Sequence, residues 1–369
     1  MERILLAAVV LCLGCASLAA QSDRGDLPPR PIGRDERGER EPFPPPPREA
    51  ADDGLFPAIL TPSTRGPGTW PLVNSEDRDD NRAPQYRVWW YPERNVRRTA
   101  THLGFLEHLL EVPFPIVLSD PVILAGSFRL RNLNFQTNAV LPDSQRPFPA
   151  NLWDVSLGFA FLYKFQDGST FGFLPRVGSP SDRPFSNAQV YNFTAIAFYR
   201  TPAFLEGDFW NFGLFYFPNS QIPFPFPGLS YEYKPNDDLL IRIGIPFSLM
   251  WRPLPSWKVE LDYRPLTQIT SRLSYEVREG FVLYGGFDWD NQGYFLKDRR
   301  ERRDLFFRQE KRILGGVRAD IAERLTLDIS GGYAFDRNFG SGRNALNLRY
   351  DKIDIASGGF LSAWLLIPF

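Results

Sequence analysis

From Tyr86 onward the chain alternates apolar and polar residues with period two, in run after run. In Gln268 to Arg278 one row reads Ile269, Ser271, Leu273, Tyr275, Val277 and the other Gln268, Thr270, Arg272, Ser274, Glu276, Arg278. Trp257 to Arg264 sets Trp257, Val259, Leu261 and Tyr263 against Lys258, Glu260, Asp262 and Arg264. Arg324 to Phe335 sets Leu325, Leu327, Ile329, Tyr333 and Phe335 against Arg324, Thr326, Asp328 and Ser330. Trp153 to Phe165, Leu239 to Phe247 and Arg312 to Ile321 repeat the pattern. Successive side chains of a strand point to opposite faces, so each run predicts a strand with one apolar and one polar face. Further strands are read at 122–131, 170–178, 192–200, 210–217, 228–234, 281–289 and 360–369, with a weaker one among 86–110. The total is about fourteen, within a range of about twelve to sixteen. His102 to Val112 stays open between a strand and a short helix, because Leu103, Leu106, Leu109 and Leu110 also suit a helical stripe ahead of Pro113.

Turn signals separate the runs: Asp167-Gly168, Pro235 to Asp238, Arg278-Glu279-Gly280 and Ala322-Glu323-Arg324. Strands joined by tight turns are antiparallel neighbours, which makes a meander. Longer connections are expected at 288–307 and 336–352.

Amphipathic strands build either a soluble sandwich or a membrane barrel, and alternation alone does not separate them. Run length favours the membrane, since a tilted spanning strand needs about 9–11 residues and globular strands favour about 5–6. Trp and Tyr sit near run ends, as in Trp153 and Tyr163 or Trp257 and Tyr263, where interfacial girdles lie. The chain ends on an alternating apolar series, Leu361, Ala363, Leu365, Ile367 and Phe369, of which Leu365, Ile367 and Phe369 read as an assembly signal for outer-membrane barrels. The expected fold is therefore all-β: a transmembrane antiparallel up-and-down β-barrel over residues 86–369. It must close, because an open sheet edge in hydrocarbon leaves backbone groups unpaired.

The N-terminal part has another character. Residues 1–19 read as a signal peptide, with Arg3, an apolar Ile4–Leu13 segment and Ser17-Leu18-Ala19 at the cleavage site. Both cysteines, Cys12 and Cys15, lie within it, so the mature chain has no disulfide or thiolate ligand; Gly14-Cys15 leaves lipidation of Cys15 open. Residues 20–85, rich in Pro and mixed charge (Pro44 to Pro47, Arg34 to Arg37), read as a disordered tether.

Composition sharpens this picture. The 369 residues include 32 Phe, 14 Tyr and 9 Trp, yet the chain is hydrophilic on average. The signal segment aside, it has no run of the roughly 18 apolar residues that a helical span needs. The 42 Lys and Arg balance 43 Asp and Glu, so nothing points to nucleic acid. His102 and His108 are the only histidines, and their spacing suits neither a shared metal ion nor a cofactor. No enzyme activity is expected; a lipid-modifying barrel enzyme would need one of them to meet a serine from another strand.

Leu141-Pro142-Asp143 with Pro147-Phe148-Pro149, Pro180 to Phe185, and Pro225 to Tyr231 carry a further likeness. With these segments, residues 86–369 resemble a family of uncharacterised outer-membrane β-barrel proteins of diderm bacteria, known as a domain of unknown function. The resemblance implies fold and location and supplies no catalytic residues.

The polar rows supply candidate lumen-lining residues: Arg242, Lys258, Glu260, Asp262, Arg272, Glu276, Arg318, Asp320 and Asp328. Facing lipid, each Arg or Lys would cost about 2–4 kcal/mol at the bilayer midplane, and each Asp or Glu somewhat less. They fill the lumen with mutual ion pairs or line a pore, and their mixed signs argue against strong ion selectivity. The charge run from Lys297 to Arg312 reads as a solvated outer loop, with lipopolysaccharide phosphates as its alternative contact. The expected function is passive passage of small solutes, including apolar ones, across the cell outer membrane. The alternative is a structural or adhesive barrel. The expected partners are outer-membrane lipid, lipopolysaccharide and the barrel-assembly machinery, besides any solute.

Overall fold

The computed structural model describes residues 84–218, 224–264, 268–322 and 324–367. The expected signal peptide, nearly all of the expected tether and Phe369 lie outside the described residues. Among the described residues seventeen strands follow one another. The first nine are β1 (Gln85–Asn95), β2 (His102–Ser119), β3 (Val122–Thr137), β4 (Asn151–Lys164), β5 (Thr170–Ser181), β6 (Asn192–Pro202), β7 (Phe209–Tyr216), β8 (Phe226–Asn236) and β9 (Leu239–Gly244). The rest are β10 (Phe247–Leu254), β11 (Trp257–Arg264), β12 (Gln268–Arg278), β13 (Phe281–Tyr294), β14 (Leu305–Ala322), β15 (Leu325–Asn344), β16 (Asn347–Ile355) and β17 (Gly358–Leu366).

From β1 to β15 each strand pairs antiparallel with the next, β15 pairs with β17, and β17 pairs with β1. The sheet thus closes into a ring of sixteen strands with no free edge. β16 stands outside the ring on the upper part of β15 and keeps the register of β17: Arg337 faces Ile355 as Ala334 faces Gly358.

The ring exceeds the expected fourteen because two runs each hold two strands. The weak 86–110 segment is β1 plus β2. His102 to Val112 is strand, not helix, since its leucines divide between the faces: Leu103 and Leu109 are fully buried inside, while Leu106 and Leu110 take the opposite parity. Leu239 to Phe247 breaks at Gly244, whose φ of +140° turns the chain, and β10 folds back so that Ser248 faces Arg242. The expected 336–352 connection is instead the β15–β16 hairpin; its Gly-rich sequence hides the alternation, and partners on both sides hold it.

Turns and loops segregate. The connections 120–121, 237–238, 255–256 and 279–280 are tight and share one end with the β17 terminus, here the turn end. The connections 138–150, 182–191 and 295–304 crowd the other, the loop end. Wall height also varies. β2, β14 and β15 span 18, 18 and 20 residues, whereas β7, β10 and β11 span 8 and β9 only 6.

The ring is pinched. β5 and β13 stand opposite each other in it, yet their loop ends are hydrogen-bonded: Phe295 N donates to the Pro180 carbonyl at 2.8 Å, and Asp182 N to the Phe295 carbonyl at 3.2 Å. Lys297 N adds a bond to Asp182 Oδ1 at 2.9 Å. Two lobes result. A tall lobe runs from β13 through β14, β15, β17 and β1 to β5; a low lobe runs from β5 through β6 to β13.

Candidate functional site

The apolar rows face outward. Ile313, Ile329 and Leu361, at mid-height of the tall wall, are 57%, 55% and 55% exposed. Leu157, Phe159, Leu214, Leu229, Leu273 and Val277 are exposed elsewhere round the ring. In water such a surface would be costly; facing acyl chains it is not. Near the turn end Trp257 and Tyr275, cross-strand partners, hold their rings 4.9 Å apart. Near the loop end Tyr263, Ile269 and Trp289 stand in one cross-strand row.

Inside the tall lobe a layer of buried charge joins the neighbouring strands β1, β2 and β3 to β14, which stands beyond β15 and β17 in the ring. Glu107 accepts from Arg308 Nη1 at 2.6 Å and lies 3.4 Å from Arg131 Nε. Glu310 accepts from Arg308 Nη2 at 2.7 Å and from Tyr91 Oη at 2.6 Å, with Arg312 at 3.3 Å. Nearer the turn end, Glu111 accepts from Gln85 Nε2 at 2.8 Å and faces Arg129 at 3.4 Å. These carboxylates are all 2–3% exposed. Each meets at least one cation and a second donor, as a buried carboxylate must where water does not reach it.

Above this layer, toward the loop end, lies an aromatic plug. Tyr91 stacks on Phe105 at 4.3 Å, Phe135 meets Phe148 edge-on at 5.0 Å, and Phe306 stacks on Phe339 at 5.6 Å. The 138–150 loop supplies Leu141 and Phe148 by folding inward, held by Phe148 N donating to the Ala139 carbonyl. Toward the turn end a second apolar cluster, with Ile123, Leu162, Ile196, Phe198 and Phe215, joins β3 and β4 to β6 and β7. Gly172 makes this packing feasible, because a Cβ there would lie 2.0 Å from the Phe198 ring.

The residues chosen from the polar rows sort by depth. Arg242 is 1% exposed and paired with Glu232 at 2.8 Å, and Glu232 also takes Arg200 at 2.9 Å. Asp328 is equally buried, with Tyr284 Oη at 2.5 Å and Arg318 Nε at 3.3 Å. Arg272 pairs with the buried Asp288 at 2.8 Å, and Lys258 with Glu260 at 3.2 Å; Arg272, Lys258 and Glu260 are part-exposed. Asp262 is part-exposed on the same row, while Glu276 and Asp320 are exposed near the turn end, where Asp320 accepts from Thr326. The structure therefore brings Lys258, Glu260, Asp262 and Arg272 together as a part-exposed strip along β11 and β12, while Arg318, on β14 in the tall lobe, belongs with Asp328. Arg242 belongs to a separate cluster with Glu232. Leu365 pairs with Tyr86, and Ile367 N donates to the Pro84 carbonyl.

The tall-lobe network was missed in the sequence, although a signal was present. Arg308, Glu310 and Arg312 alternate with period two, as do Arg129 and Arg131, but they stand inside stretches read as a solvated charge run or as ordinary strand ends. The expected outer loop 297–312 is thus corrected. Only 295–304 is a connection, and Arg308, Glu310 and Arg312 point into the lobe.

No family model matches the chain, and no curated protein does. Among solved structures it is similar to an outer membrane channel from Pseudomonas putida F1, with 13% identity and a TM-score of 0.35 over 81% of this chain and 100% of that one. It is also similar to the Pseudomonas putida toluene transporter TodX, with 8% identity and a TM-score of 0.38 over 78% and 89%. A Pseudomonas aeruginosa FadL homologue gives 10% identity and a TM-score of 0.32 over 78% and 90%. At these values the chain's own strand pairings, rather than the likeness, establish the closed barrel.

Proposed function

We propose that this chain is an outer-membrane barrel that passes small solutes through its low lobe. The observation that carries the reading is the contrast across the wall of β11 and β12. Outside stand Trp257, Tyr263, Leu273 and Tyr275, all exposed; inside stand Lys258, Glu260, Asp262 and Arg272, part-exposed and paired. A wall apolar outside and polar inside fits lipid on one side and water on the other. The tall lobe, filled by charge and aromatic rings, leaves the strip along β11 and β12 as the wetter route. Because cations and anions alternate there, the route suits small solutes of either sign or none, rather than selected ions.

The test is reconstitution in planar bilayers. Stepwise conductance is expected, and Lys258→Glu shifts its reversal potential toward cations. Ample insertion with no conductance rejects transport and leaves a structural barrel, a role for which the filled tall lobe would suffice.

A further inference from the structure

The outward face of the tall wall carries its own site at the loop end. A cavity of about 430 Å³ opens beside the β14–β15 bulge, where two residues of β15, Asp336 and Arg337, stand opposite Glu310 alone. Arg97, Lys311 and Lys352 line it, with Trp289 and Asn338 between them. Two carboxylates share the cavity: Asp336 is 2.7 Å from Lys311, and Asp354 is 3.5 Å from Lys352. Among the described residues no carboxylate pairs with Arg97, so a positive charge is left over. Asn338 Oδ1 is buried without a hydrogen-bond partner and so lacks a donor.

Position gives this charge its meaning. Lys311 is opposite Trp289 on the outward row, and the next outward residue of β14 toward the turn end is Ile313, 57% exposed. Phe287 and Phe335, ring centroids 6.5 Å apart, and the exposed Tyr333 continue the apolar surface below. A cationic cavity with an indole ring and an amide, directly above an acyl-compatible belt, matches one kind of molecule. Resting on the membrane reading above, the geometry points to a binding site for the phosphorylated sugar head of an outer-leaflet glycolipid. Its phosphate is held by Arg97, Lys311 and Lys352, a sugar hydroxyl donates to Asn338 Oδ1, and its acyl chains lie along Ile313 and Tyr333.

The test places the purified full-length protein in phosphatidylcholine nanodiscs with lipid A added and counts retained lipid A by native mass spectrometry. Wild type retains lipid A, and the triple variant Arg97→Ala, Lys311→Ala, Lys352→Ala retains about tenfold less, about 1.4 kcal/mol. Asp336→Asn, which the φ of +47° there tolerates, frees Lys311 and retains more, a gain that misfolding does not imitate. Equal retention by wild type and triple variant overturns the site, and so does equal retention of dephosphorylated lipid A. A protein that never enters the nanodisc overturns the membrane reading and this site together, so the two failures are distinguishable.

Discussion

The two lobes share one sheet and one alternation, yet they use their inward rows differently. In the tall lobe Glu107, Glu310, Arg308 and Arg131 are buried together beneath rings from the loop end. In the low lobe Lys258 and Glu260 pair with each other and keep contact with water. Strand length underlies the difference. Strands of 18 to 20 residues rise beyond the outward apolar belt, so the tall wall and its loops can fold rings over the lumen. Strands of 6 to 8 residues end near that belt, too short to raise a rim of rings over the lumen. The same residue types act as a buried scaffold in the tall lobe and as a wetted lining along β11 and β12, the Arg242–Glu232 pair being the low lobe's own buried exception.

The largest expected effect comes from deleting a charge in the scaffold. Glu310→Ala leaves Arg308, Arg312 and the Tyr91 hydroxyl around a missing acceptor and costs about 3–5 kcal/mol in urea unfolding followed by heat-modifiable gel mobility. Glu260→Ala, in the low lobe, costs about 1 kcal/mol or less. Equal costs would mean that the lobes do not differ in burial.

Packing above the network gives the next contrast. Phe339→Ala, in contact with the rings of Phe105, Phe135, Phe148 and Phe306, costs about 3–5 kcal/mol. It also opens the tall lobe, so a rise in single-channel conductance accompanies the loss of stability. Unchanged conductance would show that the rings do not block a second route. Charge reversal sharpens the comparison without large stability changes: Lys258→Glu alters the reversal potential in bilayers, whereas Lys164→Glu, at the turn end of β4, does not.

The smallest effect concerns the loop end. Arg343 donates to Glu301 at 2.7 Å, tying the 295–304 loop to the β15–β16 hairpin, and this bond holds the Glu301 carboxyl below its ordinary range. A carboxyl depressed in the folded state stabilises above its unfolded pKa, and that contribution is lost as pH falls through the lower folded value. Protease nicking of this loop should therefore rise as pH drops below the ordinary carboxylate range, and Glu301→Gln should remove the pH dependence.

Much of the fold was legible in the alternating rows, because period two assigns faces without knowledge of partners. Turn residues such as Asp167-Gly168 and Gly280 marked the hairpins; both glycines adopt positive φ. Two things were not legible. The strand count failed where alternation passed unbroken through a turn at Gly244, or where leucines served both faces in β2. The site was only half visible: Lys258, Glu260 and Arg272 stood out as polar rows, but the same alternation in Arg308, Glu310 and Arg312 was masked by charges on either side.

The sequence by itself determined that this chain makes long amphipathic strands in a meander, with aromatics on one face and mixed charge on the other. Side-chain periodicity is local and follows from backbone geometry alone. Only the tertiary structure decided that the ring has sixteen strands, that β5 and β13 pinch it, and which charges are buried. Those outcomes depend on pairs as far apart as Glu107 and Arg308. Whether a polar row is wetted or sealed depends on what the opposite wall sends across the lumen, and no single strand carries that information.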